Sequence, residues 1–173
     1  MTSITTLHVK HIRSHREYSI DFSPEVTIIT GANGSGKSTL FSVFEFLREA
    51  LASNVHTALA KLGGSRGIDE VRSRGVEENI EIEIKFREHD SSPLVTYFLS
   101  VGVQNGRPIV AREILKYRRG SGGQPWHFLD FSNGEGSAVT NEVENVKDVK
   151  ELDREQQKLR SPDILAVKGL AQF

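Results

Sequence analysis

The sequence predicts an α/β fold: a lobe whose mixed sheet surrounds one amphipathic helix, continued by an antiparallel β meander. Three observations predict it. A glycine-rich loop, Gly31-Ala-Asn-Gly-Ser-Gly-Lys-Ser38, joins the apolar run Val26 to Thr30 to a stretch in which Leu40, Val43, Phe44, Leu47 and Leu51 recur at three- and four-residue spacing. Alternating apolar and polar stretches flank that unit on both sides. The dipeptides Asn105-Gly106 and Asn133-Gly134 then mark tight hairpin turns.

Taken in order, residues 2 to 12 read as a strand with Leu7 and Val9 on one face, and Tyr18, Ile20 and Phe22 alternate with Glu17, Ser19 and Asp21 in a second. A polar turn, Arg13 to Arg16, separates them. Pro24 ends the second strand, and Val26 to Thr30, apolar on both faces, reads as a central buried strand. The helix after the loop is followed by Val55, Leu59 and Leu62 at helical spacing, until Gly63-Gly64 supplies a stop. These elements form a first unit, residues 1–64, and an arginine-rich loop, residues 65–78, comes next. The meander occupies residues 79–140: Ile80, Ile82, Ile84 and Phe86 alternate with charges, strands follow at 94 to 103 and 108 to 118, and Trp126 to Phe131 leads to a last pairing near Ser137 to Thr140. Residues 141–173 are densely charged at first, which predicts an exposed segment helical in part, and Ser161-Pro162-Asp163 opens a short helix through about Leu170.

Composition narrows the function classes. With 173 residues the chain can bury a real core. Its 22 Lys and Arg against 23 Asp and Glu give no overall cationic field, which leaves any DNA contact to a local cluster such as Lys116, Arg118 and Arg119. The absence of cysteine excludes disulfides and thiolate metal sites. No apolar run reaches membrane-spanning length and the N-terminus lacks signal-peptide character, so the sequence predicts a cytoplasmic protein without a membrane partner. His8, His11 and His15 read as structural or surface residues rather than metal ligands.

The loop carries the chemistry. It is a complete G-x-x-x-x-G-K-[ST] motif in strand-loop-helix context, and this predicts a P-loop nucleoside triphosphatase lobe. Gly31, Gly34 and Gly36 permit crowded or left-handed backbone, so main-chain N–H groups can approach a phosphate without an intervening Cβ. The helix N-terminus adds orphan amides and a partial positive charge. Lys37 should reach the β- and γ-phosphates of ATP, and the Ser38 hydroxyl should ligate Mg²⁺. Asn33, Ser35 and Thr39 complete the expected set.

The loop form, the two strands before it with Arg13-Ser14 between them, and the meander together resemble the N-terminal lobe of ABC-type ATPase heads of the SMC, RecF and OLD-like group. The likeness is closest over residues 4 to 51, where "HIRSHREYSIDFSPEVTIITGANGSGKSTL" is similar to the first segment of double-strand-break-repair SMC-like ATPases and of ATPases in bacterial defence systems. The resemblance implies that Arg13 and Ser14 contact the nucleotide, that one of Arg66, Arg72 and Arg74 is directed at the phosphates, and that the full protein is an ATP-dependent homodimer that hydrolyses ATP in DNA repair, chromosome handling or phage defence. It also exposes departures. Hydrolysis in such heads needs an apolar strand ending in Asp-Glu; Asp69-Glu70 follows Arg-Gly-Ile and does not qualify. Ser121-Gly-Gly-Gln124 superficially matches the signature motif but precedes Pro125 and an apolar run, and Gln172 as a Mg²⁺-sensing glutamine rests on one residue alone. The chain therefore reads as an incomplete head that binds ATP and turns it over little alone, with Walker B supplied by a missing C-terminal half or a second chain. The alternative is a nucleotide-dependent interaction module without productive hydrolysis. A small-molecule kinase would need a lid and substrate pocket that the meander does not suggest.

Overall fold

The computed structural model describes residues 2–118, 126–140 and 152–170. Its strands are β1 (Ser3–Ile12), β2 (His15–Asp21), β3 (Ile80–Arg87), β4 (Leu94–Gln104), β5 (Arg107–Arg118), β6 (Trp126–Ser132), β7 (Glu135–Val139) and β8 (Arg154–Lys158). They form one eight-stranded sheet in the order β2-β1-β3-β4-β5-β6-β7-β8. Every pairing is antiparallel. The expected mixed sheet is thus corrected among the described residues. Local hairpins explain much of the ladder: Asn105-Gly106 and Asn133-Gly134 all take positive φ, the backbone a two-residue hairpin turn needs.

The stretch predicted as a central buried strand pairs with nothing described. Residues 26–30 lie outside the sheet, and Val26 and Ile28 are 70% and 80% exposed. A buried strand needs a neighbour for its backbone groups as well as cover for its side chains. None of the described strands provides one.

The helices cover one face of the sheet. On α1 (Lys37–Ala52), Leu40, Val43, Phe46, Leu47 and Ala50 turn inward, as their spacing predicts. Asn54 caps α2 (Val55–Gly63) by accepting from the Thr57 N–H at 2.8 Å, which separates the two helices at the predicted break. Both pack on Leu7, Val9, Ile80, Ile82, Leu99 and Val101. A single 3₁₀ turn and α3 (Ile68–Val71) follow, so the arginine-rich stretch is anchored by Ile68 and Val71 rather than free.

Two further expectations change. Residues 154–158, expected to be exposed and helical in part, are largely exposed but form β8 on the edge of the sheet, where Lys158 pairs with Glu135 at 2.6 Å. Their side chains carry no apolar signal because the ladder, not burial, fixes them. The final helix, α4 (Val167–Leu170), is shorter than predicted. Residues 161–166 instead seal the core edge through Pro162 O, which accepts from Val110 N–H at 2.7 Å, and Asp163 O, which accepts from Val55 N–H at 2.9 Å. Glu113, fully buried on β5, fixes this strap: its carboxylate accepts from the N–H groups of Ala166 (2.5 Å) and Val167 (3.0 Å) and from the Tyr97 hydroxyl (3.1 Å). Burial pushes its pKa above the usual carboxylate value despite those donors. The signature-like Ser121–Gln124, Arg119 and Gln172 lie outside the described residues.

Candidate functional site

The glycine loop follows the unpaired stretch 26–30 and turns into α1. Gly34 and Gly36 have φ of +84° and +89°, the left-handed backbone predicted for them. At Gly31 a Cβ would lie 2.7 Å from Ser35 Oγ, so a larger residue there would push that hydroxyl aside. Lys37 closes the bend from inside. Its ammonium donates to Gly31 O at 2.5 Å and Ala32 O at 2.7 Å, with Ser35 Oγ at 3.5 Å. The N–H groups of Asn33, Gly34 and Gly36 have no acceptor among the described residues, while Ser35 N–H donates to Ala32 O at 3.2 Å. An ammonium surrounded by uncommitted amides at a helix N-terminus is an arrangement suited to a polyanion.

The remaining predicted residues fall in two places. Asn33, Ser35 and Ser38 are exposed at the bend. Thr39 is nearly covered, and its N–H already donates to Gly36 O at 3.0 Å, so it stands behind the others. Arg13 and Ser14 form the β1–β2 turn, which is stitched to the arginine segment: Arg13 N–H donates to Val71 O at 2.7 Å and Ser73 N–H to His11 O at 3.0 Å. Together they line a cleft of about 580 Å³ bearing Arg13, Ser14, Arg16, Arg72 and Arg74, with Glu70 as its acid. Arg66 does not line it and pairs with Glu70 at 3.2 Å. Arg72 is committed to Glu77 O at 2.8 Å, whereas Arg74 has no hydrogen-bond or ion-pair partner among the described residues.

Sequence reasoning missed the two residues that join turn to loop. Ser73 Oγ donates to His15 O at 3.0 Å, and the His15 ring, tilted on Tyr18 at 5.0 Å, reaches Gly36. The signal available was only the position of His15 directly after Arg13-Ser14. No cluster able to hold a metal through His or carboxylate groups occurs among the described residues.

Residues 6–169 match the family described as AAA domain. The chain belongs to the AAA domain family. A stretch of 43 residues in this AAA domain is 46% identical to the DNA double-strand break repair Rad50 ATPase of Methanococcus maripaludis, covering 25% of this chain and 4% of that protein. The AAA domain thus spans a small fraction of that relative's length. A solved structure from work on ATP-driven dimerization and DNA-stimulated activation of SMC ATPases aligns over 68% of this chain and 72% of that one, at 23% identity and a TM-score of 0.44. The resemblance closest over residues 4 to 51 is borne out: this AAA domain is similar to the head region of SMC and Rad50-like ATPases. Among the described residues no helix is long and apolar enough to cross a membrane.

Proposed function

We propose that this chain binds Mg-ATP on the Gly31–Thr39 loop and is the nucleotide-binding lobe of an ATPase head completed by a segment that carries the Asp-Glu strand. The single observation behind this reading is the Lys37 ammonium held within the glycine bend beside unbonded loop amides. A triphosphate would replace the two carbonyl contacts of Lys37 with stronger ones in which the acceptor is charged as well as the donor. Ser38, exposed in the first turn of α1, fits a Mg²⁺ ligand, since its hydroxyl has no hydrogen-bond partner among the described residues. Mg²⁺, when bound, offsets charge that develops on the γ-phosphate.

The rest of the site supports nucleotide contacts by Arg13, Ser14 and, of the three segment arginines, Arg74, whose guanidinium is uncommitted at the cleft. The exposed, unpaired run Val26 to Thr30 suits addition of a strand. Asp69-Glu70 sits on α3 and not at the end of a strand, in keeping with low turnover by this chain alone. The ATP-dependent homodimer and a role in DNA repair, chromosome handling or phage defence belong to the same reading.

Titration with Mg-ATP tests it. Lys37→Ala should weaken binding by about ten- to a hundredfold, the worth of a charged hydrogen bond, with the melting temperature little changed. A wild-type chain without affinity, or a variant that binds as well, refutes the reading. Addition of a polypeptide bearing the Asp-Glu strand should raise phosphate release; an unchanged rate favours an interaction module.

A further inference from the structure

We propose that His15 is a positioning residue of the phosphate-binding loop: its imidazole holds the arginine-bearing β1–β2 turn in register with Gly36 and Lys37. This rests, for its effect on ligand, on the nucleotide reading above. The imidazole is aimed from three sides. Its backbone is paired with Ile12 across the β1–β2 turn, its carbonyl accepts from Ser73 Oγ at 3.0 Å, and its ring rests on Tyr18 at 5.0 Å between centroids. The free edge of the ring meets Gly36. Nε2 lies 3.5 Å from Gly36 O, the carbonyl that also accepts from Thr39 and Leu40 N–H as the first turn of α1 begins.

Packing carries more of this contact than the long hydrogen bond does. A Cβ added to Gly36 would overlap His15 Nε2 and Cε1, so glycine at 36 serves both the left-handed φ of +89° and the space the imidazole fills. One neighbour of His15 in sequence, Ser14, and the next residue, Arg16, line the arginine cleft. No backbone hydrogen bond links residues 13–16 to residues 31–38. The imidazole is therefore a physical link between the two parts of the site. Its displacement would let the loop and the guanidinium groups move independently.

The test compares the 173-residue chain with His15→Ala and His15→Gln, the latter keeping a flat N–H donor of similar reach. Two readouts are taken: the amide resonances of Gly34, Gly36 and Lys37 without nucleotide, and the Mg-ATP dissociation constant. In His15→Ala the resonances should move and affinity should fall by about ten- to a hundredfold, as when supporting groups of other sites are removed. His15→Gln should lie between that variant and wild type. Unmoved resonances with unchanged affinity in His15→Ala overturn the proposal. If His15→Ala does not fold, an unmoved Gly36 resonance in His15→Gln overturns it. A wild-type chain that binds no Mg-ATP refutes the nucleotide reading instead, and the nucleotide-free resonances still decide whether His15 holds the loop.

Discussion

Two regions of this molecule carry apolar, β-prone residues and meet different fates. In β1, β3 and β4, Leu7, Val9, Ile80, Ile82, Leu99 and Val101 are buried under α1 and α2. In residues 26–30, Val26 and Ile28 stand in water. The difference lies in hydrogen-bond partners rather than in side chains. The three sheet strands find theirs within the described chain, whereas residues 26–30 find none, and exposed backbone of that kind is a ready template for another strand. The same stretch feeds the glycine loop, so on the proposed reading a strand added there would lie next to the phosphate-binding bend.

The largest expected effect breaks or sharpens that contrast directly. Phe46, 1% exposed on α1, should cost about 3–5 kcal/mol on replacement by Ala, through lost burial and the cavity left behind. Ile28→Ala, at 80% exposure, should change stability by no more than about 0.5 kcal/mol. Denaturant unfolding of both variants reads the difference. Comparable losses would mean that Ile28 is packed in solution as Ile29 is, and the comparison would collapse.

This contrast also marks what the sequence could reveal. Alternation and Asn-Gly turns are local signals, and β1 to β7 follow them closely because each pairs with a strand nearby in the chain or with one matching its apolar face. The glycine pattern was equally legible, since the φ values of Gly34 and Gly36 are properties of the loop itself. Val26 to Thr30 misled because hydrophobicity reports a preference for burial and says nothing of which strand is present to satisfy it. Arg154-Glu-Gln-Gln-Lys158 misled in the opposite sense: a polar edge strand is held by its ladder to β7 and leaves no periodic trace. The cleft between Arg13 and Arg74, and the placement of His15, depend on contacts made across the chain, which spacing does not encode.

A smaller effect probes the strap that closes the well-packed region. Glu113→Ala would leave the Ala166 and Val167 N–H groups without their acceptor, at a cost of about 1–3 kcal/mol. Glu113→Gln isolates the charge. Because burial raises the folded-state pKa above the usual carboxylate value, the folded state holds this proton more tightly than the unfolded chain. The stability that follows is present below the unfolded value and is lost as pH rises through the folded one. Melting measured upward from about pH 4.5 should therefore shift in favour of Glu113→Gln relative to wild type. A difference that is constant with pH would place the carboxyl in a better-solvated setting than the strap implies.

The smallest effect lies at the site itself, where fold and function pull apart. Arg13 takes a φ of +49° at the first position of the β1–β2 turn, a place hairpins commonly give to glycine. The left-handed conformation costs an arginine energy that a glycine does not spend. Its guanidinium recovers part of this by donating to Leu62 O at 3.2 Å. Arg13→Gly should thus raise stability only slightly, by less than about 1 kcal/mol, because the relieved strain is set against the lost hydrogen bond and the more flexible unfolded chain. Mg-ATP affinity should fall in the same variant, since the cleft loses one of its cations. A joint measurement of melting temperature and dissociation constant decides the matter. If both fall, the turn holds Arg13 for the fold; if affinity alone falls while stability holds or rises, the strained arginine is there for the ligand.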